Sequence, residues 1–140
     1  MANILLVDDE QLVVDTLRAA MQSKGHTVET ACNGVQGLLK FSAGSFDLVI
    51  TDIIMPDKEG IGMMLEMRRE TPDVKIIAIS GGGRTGNIEF LKMAAKLGAS
   101  ATLKKPIRLA EFFLALDNCL AREGGAKVPP QEKPVAGAPT

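Results

Sequence analysis

The 140-residue chain has a single histidine, two cysteines, no tryptophan and no tyrosine. Cys32 and Cys119 lie far apart in apolar surroundings, with no further Cys or His at ligand spacing. Neither a disulfide framework nor a zinc site is written there, and both cysteines are expected to be packed, reduced thiols. His26 follows Gly25 at a turn with no second histidine near it, so it reads as a surface turn residue and not as a ligand. Charge of neither sign dominates: 16 Lys and Arg stand against 17 Asp and Glu, for a net charge of -1. That balance argues against a surface built for phosphate backbones, and so against nucleic acid as a direct partner. The apolar stretch at residues 4–7 has no basic flank, ends on acids and falls well short of a signal peptide or a bilayer span. A cytoplasmic protein without a membrane partner is expected.

What is present is a regular alternation of short apolar runs with longer amphipathic ones. The short runs, at residues 3–7, 27–31, 48–51, 75–79 and 101–103, have the length and composition of buried strands. Between and after them, apolar residues recur at helical spacing: Val13, Leu17, Ala20 and Met21; Val35, Leu38 and Leu39; Ile61, Met64, Leu65 and Arg68; Ile88, Leu91 and Ala95; Leu109, Phe112, Phe113, Leu116 and Leu120. Gly25, Gly44 and Gly98 stand where helices should end on a left-handed residue. Pro72 disfavours helix at Thr71, which should stop the third helix there. Five such repeats predict an α/β fold with a parallel sheet covered on both faces, in one domain over residues 1–122. Residues 123–140 carry Pro129, Pro130, Pro134 and Pro139 among small and polar residues with little to bury. They read as a disordered tail: a frayed terminus, a linker or a docking segment.

In an open parallel sheet, reactive groups gather beyond the carboxyl ends of the strands. Asp8, Asp9 and Glu10 follow the first strand, Asp52 the third, Ser80 and three glycines the fourth, and Lys104, Lys105 and Pro106 the fifth. Two unit charges 4 Å apart repel by roughly 4 kcal/mol at an effective dielectric near 20, so crowded carboxylates need a proton or a cation. Oxygen ligands without His or Cys favour a hard ion such as magnesium. Taken singly, the residues have plainer readings: Asp8-Asp9 as a helix cap or solvated turn, Ser80 as a cap, Lys105 as a solvated lysine. The Gly81-Gly82-Gly83 run lacks the continuation of a phosphate-binding loop and reads as a flexible loop beside Ser80.

Ile4-Leu5-Leu6-Val7-Asp8-Asp9-Glu10, Asp52-Ile53-Ile54-Met55-Pro56-Asp57-Lys58-Glu59-Gly60, Ser80 and Lys105-Pro106, in this order and spacing, resemble the response-regulator receiver family of two-component signalling. The match runs from residue 3 to about residue 120. The resemblance implies a flavodoxin-like, doubly wound sheet of five strands in the order 2-1-3-4-5. It makes Asp52 the acceptor of a phosphoryl group from a histidine kinase, a histidine phosphotransfer protein or a small donor. Magnesium, or manganese in its place, would be held by Asp9 directly, by Asp8 largely through water, by Asp52 and by the backbone carbonyl of Ile54. Lys105 would pair with the acids and then with the phosphoryl oxygens, and Ser80 would turn inward to bond the phosphoryl group. These roles suit in-line transfer, which needs placed charge more than an acid or a base. The family also implies a cis bond before Pro106, a self-modifying switch that turns over no external substrate, and a monomer or weak dimer through the fourth helix, fifth strand and fifth helix.

Two departures bear on the output. Many receivers place Tyr or Phe three residues before the lysine, whereas this chain has Thr102, and Ile107 replaces the aromatic often found after the proline. Phe90 and Met93 fall off the apolar face of the fourth helix, either as a partner-binding patch or as ordinary marginal packing. An aspartyl-phosphate hydrolase would need a second acid two residues after Asp52, where Ile54 stands. A phosphorylation-independent interaction module, or a fragment cut from a longer regulator, remains the alternative. No DNA-binding helix-turn-helix follows the receiver, and neither the kinase nor the output partner is written in the sequence.

Overall fold

Successive side chains along a strand point to opposite faces, and in this chain both faces are apolar. Leu5, Val7, Val49, Ile53, Ile76 and Ala78 enter one buried cluster, while Ile4, Leu6, Leu48, Ile50, Ile77 and Ile79 enter another. A sheet buried this way must be covered on both sides. The computed structural model describes residues 2–53, 60–80, 92, 94–96 and 98–121. Within them the order is β1 (Asn3–Val7), α1 (Gln11–Ser23), β2 (Thr27–Ala31), α2 (Gly34–Ala43), β3 (Leu48–Asp52), α3 (Gly60–Glu70), β4 (Ile76–Ser80), β5 (Ala101–Lys104) and α4 (Leu109–Ala121). The strands form one five-stranded sheet in the order β2-β1-β3-β4-β5. All its pairs are parallel. The expected fold class and strand order are those observed.

One face carries α2 and α3, through Phe41, Met63, Met64 and Met67. The other carries α1 and α4, through Val14, Leu17, Met21, Phe112, Leu116 and Cys119. The helix between β4 and β5 is described only at residues 92 and 94–96, which are helical. Gly81 to Gly83, Phe90, Met93 and the tail from residue 122 onward lie outside the described residues.

Several helical faces are rotated from the expected phase. In α2 the buried residues are Gly34, Gly37 and Phe41, whereas Val35 and Leu39 are exposed. In α3 they are Met63, Met64 and Met67, with Leu65 exposed and Arg68 only half-buried. Leu109 of α4 is exposed and Cys119 takes a core place. Arg68 is a clamp, not a core residue. Its guanidinium donates to the Gly98 carbonyl and, at 2.9 Å, to the Pro72 carbonyl, tying the end of α3 to the turn that leads into β5.

The glycines divide by mechanism. Gly25 and Gly98 have φ of 92° and 100°, the left-handed conformation expected of them. Gly44 does not: its φ is -122°, and a Cβ there would come within 3.0 Å of the Phe46 ring, so close approach and not handedness selects glycine. Pro72 acts as expected, since α3 ends at Glu70. Asn33 caps α2 by accepting the Gln36 N–H at 2.8 Å, while the Gln36 side chain accepts the Cys32 N–H at 3.0 Å. Cys32 is exposed, contrary to the expected packed thiol, because it lies in that loop. His26 is half-buried and its Nδ1 accepts the Ala2 N–H at 3.0 Å, so it fastens the start of β1 and is more than a surface turn residue.

Two glycines inside helices should respond oppositely to alanine. A Cβ on Gly37 would lie 2.9 Å from Val7 Cγ2 and 3.0 Å from Met63 Sδ, whereas one on Gly62 meets nothing within 4 Å. Gly62→Ala is expected to stabilise the fold by about 0.5–1 kcal/mol through lower chain entropy and better helix propensity. Gly37→Ala is expected to destabilise it by about 1–3 kcal/mol, because α2 must retreat from β1. Urea midpoints of the two variants against the parent check both signs.

Candidate functional site

Among the described residues, the buried polar or charged side chains are Asp8, Thr51, Asp52 and Ser80. They gather toward the carboxyl ends of the strands: Asp52 and Ser80 are the last residues of β3 and β4, Asp8 follows β1, and Thr51 stands one residue before the end of β3. Asp8 follows β1, and its backbone N–H donates to the Ala31 carbonyl at the end of β2 at 3.1 Å. Asp52 is the last residue of β3, where the Ile53 N–H donates to the Ile79 carbonyl of β4 at 2.9 Å. Ser80 ends β4 and pairs with Lys104 of β5. The Lys105 N–H extends that ladder by one bond, donating to the Ser80 carbonyl at 2.8 Å. The Lys105–Pro106 bond is cis, as expected.

These ladders converge on one ammonium. Lys105 Nζ lies 3.1 Å from Asp52 Oδ2 and 3.1 Å from Asp8 Oδ2, and it also pairs with Glu10 Oε1. The lysine side chain is 11 % exposed, those of Asp8 and Asp52 are 0 % and 5 % exposed, and that of Glu10 is 58 % exposed. The site therefore joins two acids shielded from water to one that is not. Glu10 was not singled out by the sequence pattern. It is the N-cap residue of α1, yet its side chain makes no capping bond, and its backbone N–H donates to Asp8 Oδ1 at 2.9 Å.

Three carboxylates facing one ammonium leave an excess of negative charge in a shielded place. The Asp8 carboxyl is accordingly raised from its ordinary 3.8 to about 6, first by burial and further by the Asp52 charge, against the opposing pull of the Glu10 N–H and Lys105. Burial pulls Lys105 downward, but the Glu10 hydrogen bond and the charges of Asp52 and Asp8 outweigh it, and the net shift is upward.

The donor set suits a hard divalent cation. One oxygen each from Asp8, Glu10 and Asp52 lie within 4.8 Å of one another. Asp8 Oδ2 is buried and has no hydrogen bond; its approach to Lys105 is an ion pair without hydrogen-bond alignment. An oxygen left in that condition is costly unless a cation takes it up. Asp9 is exposed and stands outside this group of three acids, and Ile54 lies outside the described residues. Thus Asp8, Asp52 and Lys105 meet as the spacing predicted, Ser80 is buried at the adjoining strand end, and Glu10 joins them.

The response regulator receiver domain family matches the chain over residues 4–117. The chain belongs to the response-regulator receiver family. This receiver is 33% identical over 124 residues to the sensor kinase CckA of Brucella abortus, a match covering 87% of the chain and 13% of that protein. It is 30% identical over 122 residues to the response regulator SaeR of Staphylococcus aureus, covering 87% of the chain and 52% of SaeR. The chain thus spans about half or less of these relatives' own lengths. It is also similar to the response regulator protein TrrA of Thermotoga maritima, a structure in complex with Mg2+-BeF. That likeness has a TM-score of 0.76 and 31% identity, and covers 86% of the chain and 100% of TrrA. Among the described residues of the receiver, no helix is long and apolar enough to cross a membrane.

The raised Asp8 carboxyl makes the stability of the cation-free receiver depend on pH. Because the folded-state value, about 6, exceeds the ordinary 3.8, the folded state holds this proton more tightly. The resulting stabilisation is complete below 3.8 and is lost as pH rises through about 6. Its full size is on the order of 3 kcal/mol. Urea midpoints measured in a chelator across this range should show the fall in the parent receiver, and Asp8→Asn should remove that part of the pH dependence.

Proposed function

We propose that this receiver takes a phosphoryl group onto Asp52 from the phosphohistidine of a histidine kinase or a histidine phosphotransfer protein, or from a small phosphoryl donor. The observation that carries the reading is the shared lysine: one ammonium, nearly excluded from water, lies 3.1 Å from both Asp52 and Asp8. In the transfer an Asp52 carboxylate oxygen forms a new bond to phosphorus while the bond to the donor's imidazole nitrogen, or to its leaving oxygen, breaks and the leaving group keeps the electron pair. Lys105 is placed to follow the negative charge from the carboxylate to the phosphoryl oxygens. Ser80, at the end of the neighbouring strand, supplies a hydroxyl for the same oxygens. The reaction modifies the receiver itself and turns over no external substrate.

Magnesium suits the buried carboxylates of Asp8 and Asp52; Asp9, exposed and outside the group of three acids, and the Ile54 carbonyl are the further oxygens that the family pattern implies, with Glu10 left to Lys105. When bound, magnesium neutralises charge on the transferred group. The magnesium in the TrrA complex supports this choice of ion. Phosphorylation would then alter the surface read by a partner, with Thr102 on β5 in place of an aromatic switch residue. Thr102 is exposed. The same reading makes the receiver cytoplasmic and monomeric, or weakly dimeric through the helix before β5, β5 and α4, while the balanced charge argues against direct nucleic-acid contact. The lengths of CckA and SaeR favour a second reading of the context, in which the same chemistry serves as one module of a longer regulator.

The test is to expose the protein and its Asp52→Asn variant to acetyl phosphate with and without magnesium and weigh the intact products. Only the parent protein with magnesium should gain a phosphoryl group. Equal labelling of both proteins, or labelling indifferent to magnesium, would overturn the proposal.

A further inference from the structure

The exposed member of the acid group poses a separate problem. An ammonium has three N–H donors, and Lys105 already has three carboxylates as partners. Asp8 and Asp52 are shielded, and their backbones are fixed by hydrogen bonds between neighbouring strands. Glu10 differs in exposure and in place. It is well exposed, it is the N-cap residue of α1, and its carboxylate makes no bond to the N–H groups of the first turn of that helix but pairs with Lys105 instead. A carboxylate at an N-cap position ordinarily gains from those donors and from the helix dipole, so its engagement across the rim is a choice between two partners.

We infer that Glu10 is a positioning residue that acts through Lys105: it retains the ammonium in the unphosphorylated receiver and competes with the incoming phosphoryl oxygens for it. The contact must be given up, at least in part, before Lys105 can turn its donors to a phosphoryl group on Asp52. Of its three partners, Glu10 is the one water can most readily replace, so it is the adjustable term. The neighbouring N–H groups of α1 offer the released carboxylate an alternative site. The length of the side chain matters: aspartate keeps the charge but is one methylene shorter, and is expected to hold Lys105 less well.

This inference rests on Asp52 being the acceptor, and the experiment separates the two. Rates of phosphorylation by acetyl phosphate, at saturating magnesium, are measured for the parent, Glu10→Gln and Glu10→Asp, each also in a Lys105→Met background, with Asp52→Asn as control. Both Glu10 variants are expected to be phosphorylated faster than the parent by roughly twofold to fivefold, the scale of a partly exposed ion pair. In the Lys105→Met background the acceleration should vanish, because a residue acting through the lysine has nothing left to act on. An unchanged rate in Glu10→Gln, an acceleration that persists without Lys105, or a Glu10→Asp variant that behaves as the parent would each overturn the inference. Labelling of Asp52→Asn would instead overturn the acceptor assignment beneath it.

Discussion

A single lysine ammonium holds together carboxylates that would otherwise repel one another at the rim of an apolar sheet. Asp8 and Asp52 are separated by 97 and 53 residues from the lysine that neutralises them. The charge arrangement is therefore available only when β5 has docked on β4 in the register that sets Ser80 opposite Lys104. Until then two acids destined for burial have no cation. Removing one partner of a buried pair costs far more than the pair itself contributes, so the rim constrains the sheet as much as the sheet positions the rim.

The apolar frame has to hold that register without help from polar groups inside it. It does so by burying both faces of every central strand and by bringing helices close. Gly37 admits α2 to within contact of Val7, the residue immediately before Asp8. On the far side of the same layer Arg68 fastens α3 to the turn at Gly98, from which β5 departs. The two ends of the acid–lysine contact are thus each braced by a helix packed on the sheet. Burial stabilises the frame but also withdraws water from Asp8, which is why its carboxyl titrates near 6. One physical cause supplies both the rigidity of the site and the penalty on its excess of negative charge.

Much of this was legible in the sequence, for definite reasons. Continuous apolar runs of strand length, punctuated by glycine and proline, have few folds open to them, and acids or a lysine directly after such runs must sit at the carboxyl rim. Strand ends differ from the sequence pattern by only one residue: Asp52 and Ser80 close β3 and β4, whereas the pattern makes them the first residues of loops. The helices were less legible. Counting large apolar residues turns α2 toward Val35 and Leu39, whereas the buried positions are Gly34, Gly37 and Phe41 and the tight contact is made by Gly37. A small residue carries no hydrophobic signal although it marks the closest approach. The same blindness attached handedness to Gly44, where the neighbouring Phe46 ring decides.

The order of acids along the chain fixed that Asp8, Asp52 and Lys105 would meet, because strand direction and alternation are local properties that propagate to the sheet edge. It could not distinguish which of the acids after β1 would share the lysine. Asp9 and Glu10 are adjacent and equally acidic on paper, yet Asp9 is exposed outside the group of three acids while Glu10 reaches Lys105. That outcome depends on where α1 begins and on the path of a chain segment nearly a hundred residues away. Local pattern determines which residues reach the rim; only the packed tertiary structure decides which of them touch.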